Sequence, residues 1–138
     1  TLADGVPEFF EQCGRNGAQV YIVSHKTQFA GYDETCTDLR RSALAWMSQQ
    51  GLFDKCGMDF NPANVFFEGT RLDKLDRIKQ LGCTHFIDDL EEVFSEEHFP
   101  SGVAKVLYAP FGASCNLPDV AVAQSWDEVG GYVLGDGY

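Results

Sequence analysis

The chain has 138 residues, of which 44% are hydrophobic and 13% aromatic, enough to build one core of ordinary domain size. Its net charge of −11, from 10 basic and 21 acidic side chains, excludes a basic surface for nucleic acid or anionic membranes. The longest apolar stretches fall far short of the roughly 20 residues that a membrane helix needs.

The chain contains five widely spaced cysteines, namely Cys13, Cys36, Cys56, Cys83 and Cys115. The number is odd and no Cys-x-x-Cys pair occurs. A disulfide framework or zinc ribbon is therefore disfavoured, and a reducing cytoplasmic location is the expectation.

Helical and extended patterns alternate along the first half of the chain. Pro7 fits the first turn of a helix that Gly17 ends, and Val20–Val23 is typical of a short buried strand. A second helix is predicted from Asp38 to Gln50, with Thr37 as its N-cap.

The second half continues this alternation. A capping-box-like start at Thr70 predicts a helix that ends at Gly82. Short apolar runs predict further strands at Val65–Phe67, Cys83–Ile87, Val103–Ala109 and Val120–Val122. Ser125 is the predicted N-cap of a last helix ending at Val129, and residues 130–138 are expected to form a flexible tail. The pattern predicts a single α/β domain over residues 1–138, with a mainly parallel sheet covered on both faces.

In such sheets, ligands bind beyond the carboxyl ends of the strands, and Asp88 and Asp89 follow a predicted strand there. Carboxylate oxygens suit Mg²⁺, which keeps several waters and takes one or two carboxylates. The same two residues are equally typical of a turn and a helix N-cap, stabilised by hydrogen bonding.

Three polar residues, Ser24, His25 and Lys26, follow the predicted strand Val20–Val23. A serine hydroxyl with the next backbone N–H groups can bind a phosphoryl oxygen, and His25 and Lys26 add donors. Lys74, in the first turn of the third helix, can offset phosphoryl charge. Each of these residues alone is also an ordinary surface residue.

Together these signals form an ordered pattern that resembles motifs two, three and four of the haloacid dehalogenase superfamily. The strand-Ser segment Tyr21–Thr27, then Lys74, then the strand-Asp-Asp segment His85–Leu90 carry the resemblance, which spans about residues 6–129. It implies a Rossmann-like three-layer sandwich and a Mg²⁺-dependent phosphatase acting on a small phosphorylated molecule. Ser24 would bind the phosphoryl group, Lys74 would stabilise a phosphoaspartyl intermediate, and Asp88 with Asp89 would hold Mg²⁺.

The family's first motif, a strand ending in Asp-x-Asp that supplies the nucleophile, has no counterpart in the chain. No Asp-x-Asp occurs in the 138 residues, and neither Asp4 nor Asp136 replaces it. In the family this strand is central, so its loss leaves two neighbouring strands with unpaired edges. The resemblance therefore predicts a sheet without its central first strand and a chain inactive in isolation.

Two explanations compete for the missing motif. The start at Thr1, not Met, favours a fragment of a longer enzyme whose first strand lies upstream. A complete protein that has lost catalysis and acts as a binding or regulatory module is the alternative, with a homo-oligomer as one source of the extra strand. A receiver-like interaction module also fits an acidic pair at a strand end, whereas the absence of a glycine-rich loop disfavours nucleotide binding.

Overall fold

The computed structural model describes residues 3–25, 39–54, 58–112 and 117–135. The α-helices of these residues are α1 (Val6–Arg15), α2 (Leu39–Gln49), α3 (Arg71–Leu81), α4 (Glu91–Phe94) and α5 (Trp126–Leu134). The strands are β1 (Ile22–His25), β2 (Val65–Glu68), β3 (His85–Asp88), β4 (Ala104–Tyr108) and β5 (Val120–Ala123). A 3₁₀ turn, Pro62–Asn64, precedes β2. In these residues, none of the helices has the length and apolar character to cross a membrane.

The described residues divide into two compact units. In the first, which comprises residues between 20 and 74, β1 pairs with β2. In the second, which comprises residues 3–19 and those from 75 onward, the strand order is β3-β4-β5. Every pairing is parallel, so the predicted α/β class with parallel strands is confirmed. In this order β1 and β3 are edge strands of their sheets.

Buried apolar side chains concentrate in the second unit. Helices α1 and α5 pack there, with the ring of Phe9 5.2 Å from that of Trp126, which lies 5.1 Å from Tyr108 of β4. The central strand β4 buries Val106 almost completely. Leu52 is the one buried apolar residue in the described part of the first unit. Since parallel strands are ordinarily covered on both faces, the half-buried β1 and β2 have unusually little core of their own.

The last helix is longer than predicted. The N-cap prediction is confirmed, because the Ser125 hydroxyl accepts a hydrogen bond from the Glu128 N–H at 3.2 Å, and the Glu128 carboxylate accepts one from the Gln124 N–H at 2.6 Å. The helix continues past Val129 to Leu134, so the first part of the predicted tail is helical. Burial of Val129 and Gly130 favours the helix more than the low helix propensity of glycine opposes it.

Gly5, which precedes α1, makes a close contact that only glycine allows. Its φ is +90°, and a Cβ at this position would lie 3.1 Å from the Cβ of Trp126. We expect Gly5→Ala to lower the free energy of unfolding by about 1–3 kcal/mol, because the left-handed backbone and the crowding both oppose a side chain. Urea denaturation measures the change.

Gly14, inside α1, is the matched control, since a Cβ there meets no atom within 4 Å. Gly14→Ala should raise the free energy of unfolding by about 0.5–1 kcal/mol through helix propensity. Equal effects of the two substitutions would contradict a specific contact between Gly5 and Trp126.

An ion pair connects the segment before β5 to the start of β4. The Lys105 ammonium donates to Asp119 at 2.9 Å and lies 4.8 Å from the centre of the Phe99 ring. The hydrogen bond from Lys105 lowers the pKa of the Asp119 carboxyl. A pKa that is lower in the folded state than in the unfolded one stabilises the fold above the ordinary carboxyl pKa, about 3.9. That contribution disappears as the pH falls through the folded-state value.

We therefore expect the stability difference between the wild type and Asp119→Asn to be present at neutral pH and to vanish in acid. Urea denaturation of both proteins from pH 7 to pH 3 measures this difference. Raising the salt concentration at pH 7 should shrink it, because Asp119 is largely exposed. A difference that persists unchanged at pH 3 would mean that the asparagine perturbs the fold for another reason.

Candidate functional site

Ser24 lies inside β1 and does not follow it. The sequence predicted a strand ending at Val23, but β1 continues in parallel register with β2, with Ser24 opposite Phe67 and His25 opposite Glu68. Strand β1 therefore begins and ends two residues later than predicted, because its backbone pairing with β2 extends to Glu68. Ser24 is half-buried. It therefore lies one residue before the carboxyl end of β1. Lys26, the last of the three polar residues predicted to bind a phosphoryl group, lies outside the described residues.

The helix that carries Lys74 begins as predicted. The Thr70 hydroxyl accepts a hydrogen bond from the Asp73 N–H at 3.0 Å, which satisfies one of the amide groups that a helix N-terminus leaves without a partner. The Lys74 N–H donates to the Thr70 carbonyl at 3.1 Å. Lys74 consequently lies in the first turn of α3, shortly after the loop that follows β2, and it is half-buried.

Asp88 is the last residue of β3, and Asp89 follows it. Asp88 is half-buried and pairs in register with Leu107 of β4, whereas Asp89 is exposed. The Asp88 carboxylate accepts a hydrogen bond from the Leu90 N–H at 2.9 Å. This bond forms a turn before α4 and orients the carboxylate at the carboxyl end of the strand. The predicted turn role is thus present, whereas the predicted helix N-cap role is wrong, because the residue before α4 is Leu90 and no side chain caps that helix.

The acidic pair fits the ligand preferences of Mg²⁺ better than those of zinc. Within the described ranges, no group of three or more histidine, cysteine, aspartate or glutamate side chains is arranged to hold a metal ion. Zinc sites normally need four such ligands, or three plus a water. Mg²⁺ keeps several waters and needs one or two carboxylates, so Asp88 and Asp89 could hold it without further side chains.

The predicted site residues are distributed over both units. Asp88 and Asp89 are adjacent at the carboxyl edge of the three-stranded sheet in the second unit. Ser24 and Lys74 belong to the first unit, where the carboxyl ends of β1 and β2 share an edge. The predicted site residues thus form two separate groups, Ser24 with Lys74 in the first unit and Asp88 with Asp89 in the second.

Sequence reasoning missed one feature of the second unit. Residues Ala109–Gly112 form a turn directly after β4, closed by a hydrogen bond from the Gly112 N–H to the Ala109 carbonyl at 2.9 Å. Phe111 in this turn is 99% exposed. The sequence itself indicated this turn. Proline is common at the second position of a β-turn and glycine at the fourth, which are the positions of Pro110 and Gly112.

Comparison with protein-family models, curated proteins and solved structures finds no match to this chain. Function is therefore inferred from the candidate site residues and their positions near the strand ends.

Proposed function

We propose that the chain is a Mg²⁺-dependent phosphohydrolase domain of the haloacid dehalogenase type, acting on a small phosphorylated molecule through an aspartyl-phosphate. The observation that carries the proposal is the position of its polar residues. Ser24 lies one residue before the carboxyl end of β1, and the Asp88–Asp89 pair lies at the carboxyl end of β3, near where α/β sheets bind ligands. Their order in the chain, with Lys74 between them, is that of the superfamily motifs.

Each residue has a role in this proposal. The Ser24 hydroxyl and the backbone N–H groups after it bind the phosphoryl oxygens, with His25 and Lys26 as further donors. Lys74 neutralises charge that develops on the phosphoryl group. Asp88 and Asp89 would hold Mg²⁺, whose charge would offset the negative potential of an acidic protein and stabilise charge on the phosphoryl group.

The nucleophile of this reaction is an aspartate outside the 138 residues, since no Asp-x-Asp occurs in the chain. Among the described strands, β1 and β3 each lie at an edge of their own sheet, so either has a free side at which a further strand could pair. We propose that a further strand bearing the nucleophile completes a Rossmann-like three-layer sandwich. The isolated chain should therefore bind its ligands without turning them over.

A cytoplasmic location belongs to the same proposal. Cys13 and Cys83 are free thiols, as a reducing compartment requires. Burial raises the pKa of both thiols, so neither is primed to act as a nucleophile at neutral pH.

A second candidate function is a binding or regulatory module without catalysis, either a haloacid dehalogenase-like domain or a receiver-like one. The hydrogen bond between the Leu90 N–H and the Asp88 carboxylate favours it, because this bond gives Asp88 a structural role that needs no metal. The two candidates differ in whether phosphate binds together with Mg²⁺.

Titration of inorganic phosphate into the 138-residue chain, followed by backbone amide NMR, distinguishes the two. With Mg²⁺ present we expect saturable binding that Ser24→Ala weakens by about tenfold, the usual effect of losing a hydrogen bond to a charged group. Ser48→Ala, an exposed serine on α2 in the same unit, should leave binding unchanged. No nitrophenol should be released from 4-nitrophenyl phosphate.

Two results would contradict the proposal at different points. Phosphate binding that is absent, or indifferent to Mg²⁺, would favour the noncatalytic module. Turnover of 4-nitrophenyl phosphate that Asp88→Asn abolishes would show that the chain contains its own nucleophile.

A further inference from the structure

The turn Ala109–Gly112 exposes one aromatic ring to solvent. Pro110 fixes its own φ, and the Gly112 N–H closes the turn onto the Ala109 carbonyl. The Ala109 N–H donates to the Ala123 carbonyl at 2.8 Å, so the turn is attached to the end of β5. The first residue of the turn is therefore held by both β4 and β5.

Phe111 is exposed to an unusual degree for its size. Its relative exposure of 99% exceeds that of the other large exposed apolar residues in the described part of the chain, which lie between 42% and 51%. Phenylalanine normally buries much of its ring, and the faces of this exposed ring are available to stack on a ligand. These properties suit a recognition residue.

The turn that carries Phe111 follows β4 at the sheet edge where Asp88 ends β3 and Asp89 follows it. Strands β3 and β4 are adjacent and parallel, with Asp88 opposite Leu107, so the segments after both strands emerge at the same edge. Leu90, 42% exposed, adds a second apolar side chain after β3. This edge thus combines two carboxylates with apolar side chains.

Charge at this edge restricts which ligands fit. Asp88 and Asp89 attract a divalent cation, and through it a phosphoryl group, whose own negative charge disfavours any further anionic substituent. The net charge of −11 acts in the same direction at longer range. An uncharged organic group attached to the phosphate meets no such repulsion and can contact the exposed ring.

We infer that Phe111 is a specificity-determining residue that stacks on the leaving group of the substrate, which is a phosphate monoester of an uncharged aromatic or strongly apolar alcohol. This inference rests on the proposed function, because it takes the phosphoryl group to be held with Mg²⁺ at Asp88 and Asp89. Aromatic pairs prefer offset or edge-to-face contact, which a ring on a turn can provide.

Binding of three probes to the 138-residue chain in Mg²⁺ tests the inference: inorganic phosphate, methyl phosphate and phenyl phosphate. We expect the wild type to bind phenyl phosphate about three- to tenfold more tightly than methyl phosphate, as one aromatic contact allows. Phe111→Ala should remove this preference and leave inorganic phosphate binding unchanged. Because Phe111 is fully exposed, the variant should fold normally. Tyr132→Ala, which removes another exposed aromatic ring from the same unit, should keep the preference.

The outcomes separate the inference from the function on which it rests. If inorganic phosphate binds but the wild type shows no preference for phenyl phosphate, or if Phe111→Ala retains that preference, the role of Phe111 is refuted and the phosphate site stands. If none of the three probes binds in Mg²⁺, the proposed function fails and the inference fails with it.

Discussion

Replacement of Asp88 by asparagine is expected to lower the affinity of the chain for Mg²⁺ by at least about tenfold, with a similar loss for Asp89→Asn. In the proposed site each of the two carboxylates would supply about half of the negative charge offered to the metal, so the loss of one should weaken binding strongly. Asparagine keeps an oxygen that can accept the hydrogen bond from the Leu90 N–H. The turn after β3 should therefore survive, and a loss of affinity would report on the charge alone.

Isothermal titration of Mg²⁺, together with line broadening of backbone amides by Mn²⁺, measures this effect. Glu97→Gln is the matched control, because Glu97 is an exposed carboxylate of the same unit after α4. Unchanged affinity in Asp88→Asn and Asp89→Asn would restrict the acidic pair to its structural role in the turn and would refute the metal site.

Replacement of Phe94 by alanine is expected to lower the free energy of unfolding by about 3–5 kcal/mol, the usual cost of emptying a buried phenylalanine site. Phe94 on α4 is 2% exposed, and its ring lies 5.9 Å from the rings of both Phe86 and Phe99. These two rings are themselves 6.1 Å apart, so the three form a closed cluster. Removal of one member leaves a cavity and also loses two aromatic contacts.

Phe111→Ala is the control for the same chemical change at an exposed position, and it should alter stability by no more than about 0.5 kcal/mol. Urea denaturation of the two variants gives the comparison directly. A small effect of Phe94→Ala, close to that of Phe111→Ala, would mean that the cluster is not part of the cooperative core.

The periodicity of the sequence was sufficient to predict the class of fold and most of its elements. The helix from Arg71 to Leu81 was predicted from a cap at Thr70 and a stop at Gly82, and both signals are local. Elements whose ends depend on distant partners were predicted less well. Strand β1 was displaced by two residues because its limits follow from pairing with β2, and α5 was predicted too short because its glycines are helical only where they are packed.

The candidate site shows the same division. The sequence determined which residues can act and their order along the chain: Ser24, then Lys74, then Asp88 with Asp89. Their chemistry is a property of the side chains and their order is a property of the chain, so neither needs coordinates.

Only the tertiary structure decided how these residues are held. The hydrogen bond that orients Asp88 depends on the turn geometry at Leu90, and the edge positions of β1 and β3 depend on pairing between distant strands. The solvation of Phe111 and the burial of Phe94 could not be read from their residue type, which is the same. Side-chain identity and local propensity therefore specified the elements and the candidate chemistry, whereas long-range packing set strand order, burial and the orientation of each group.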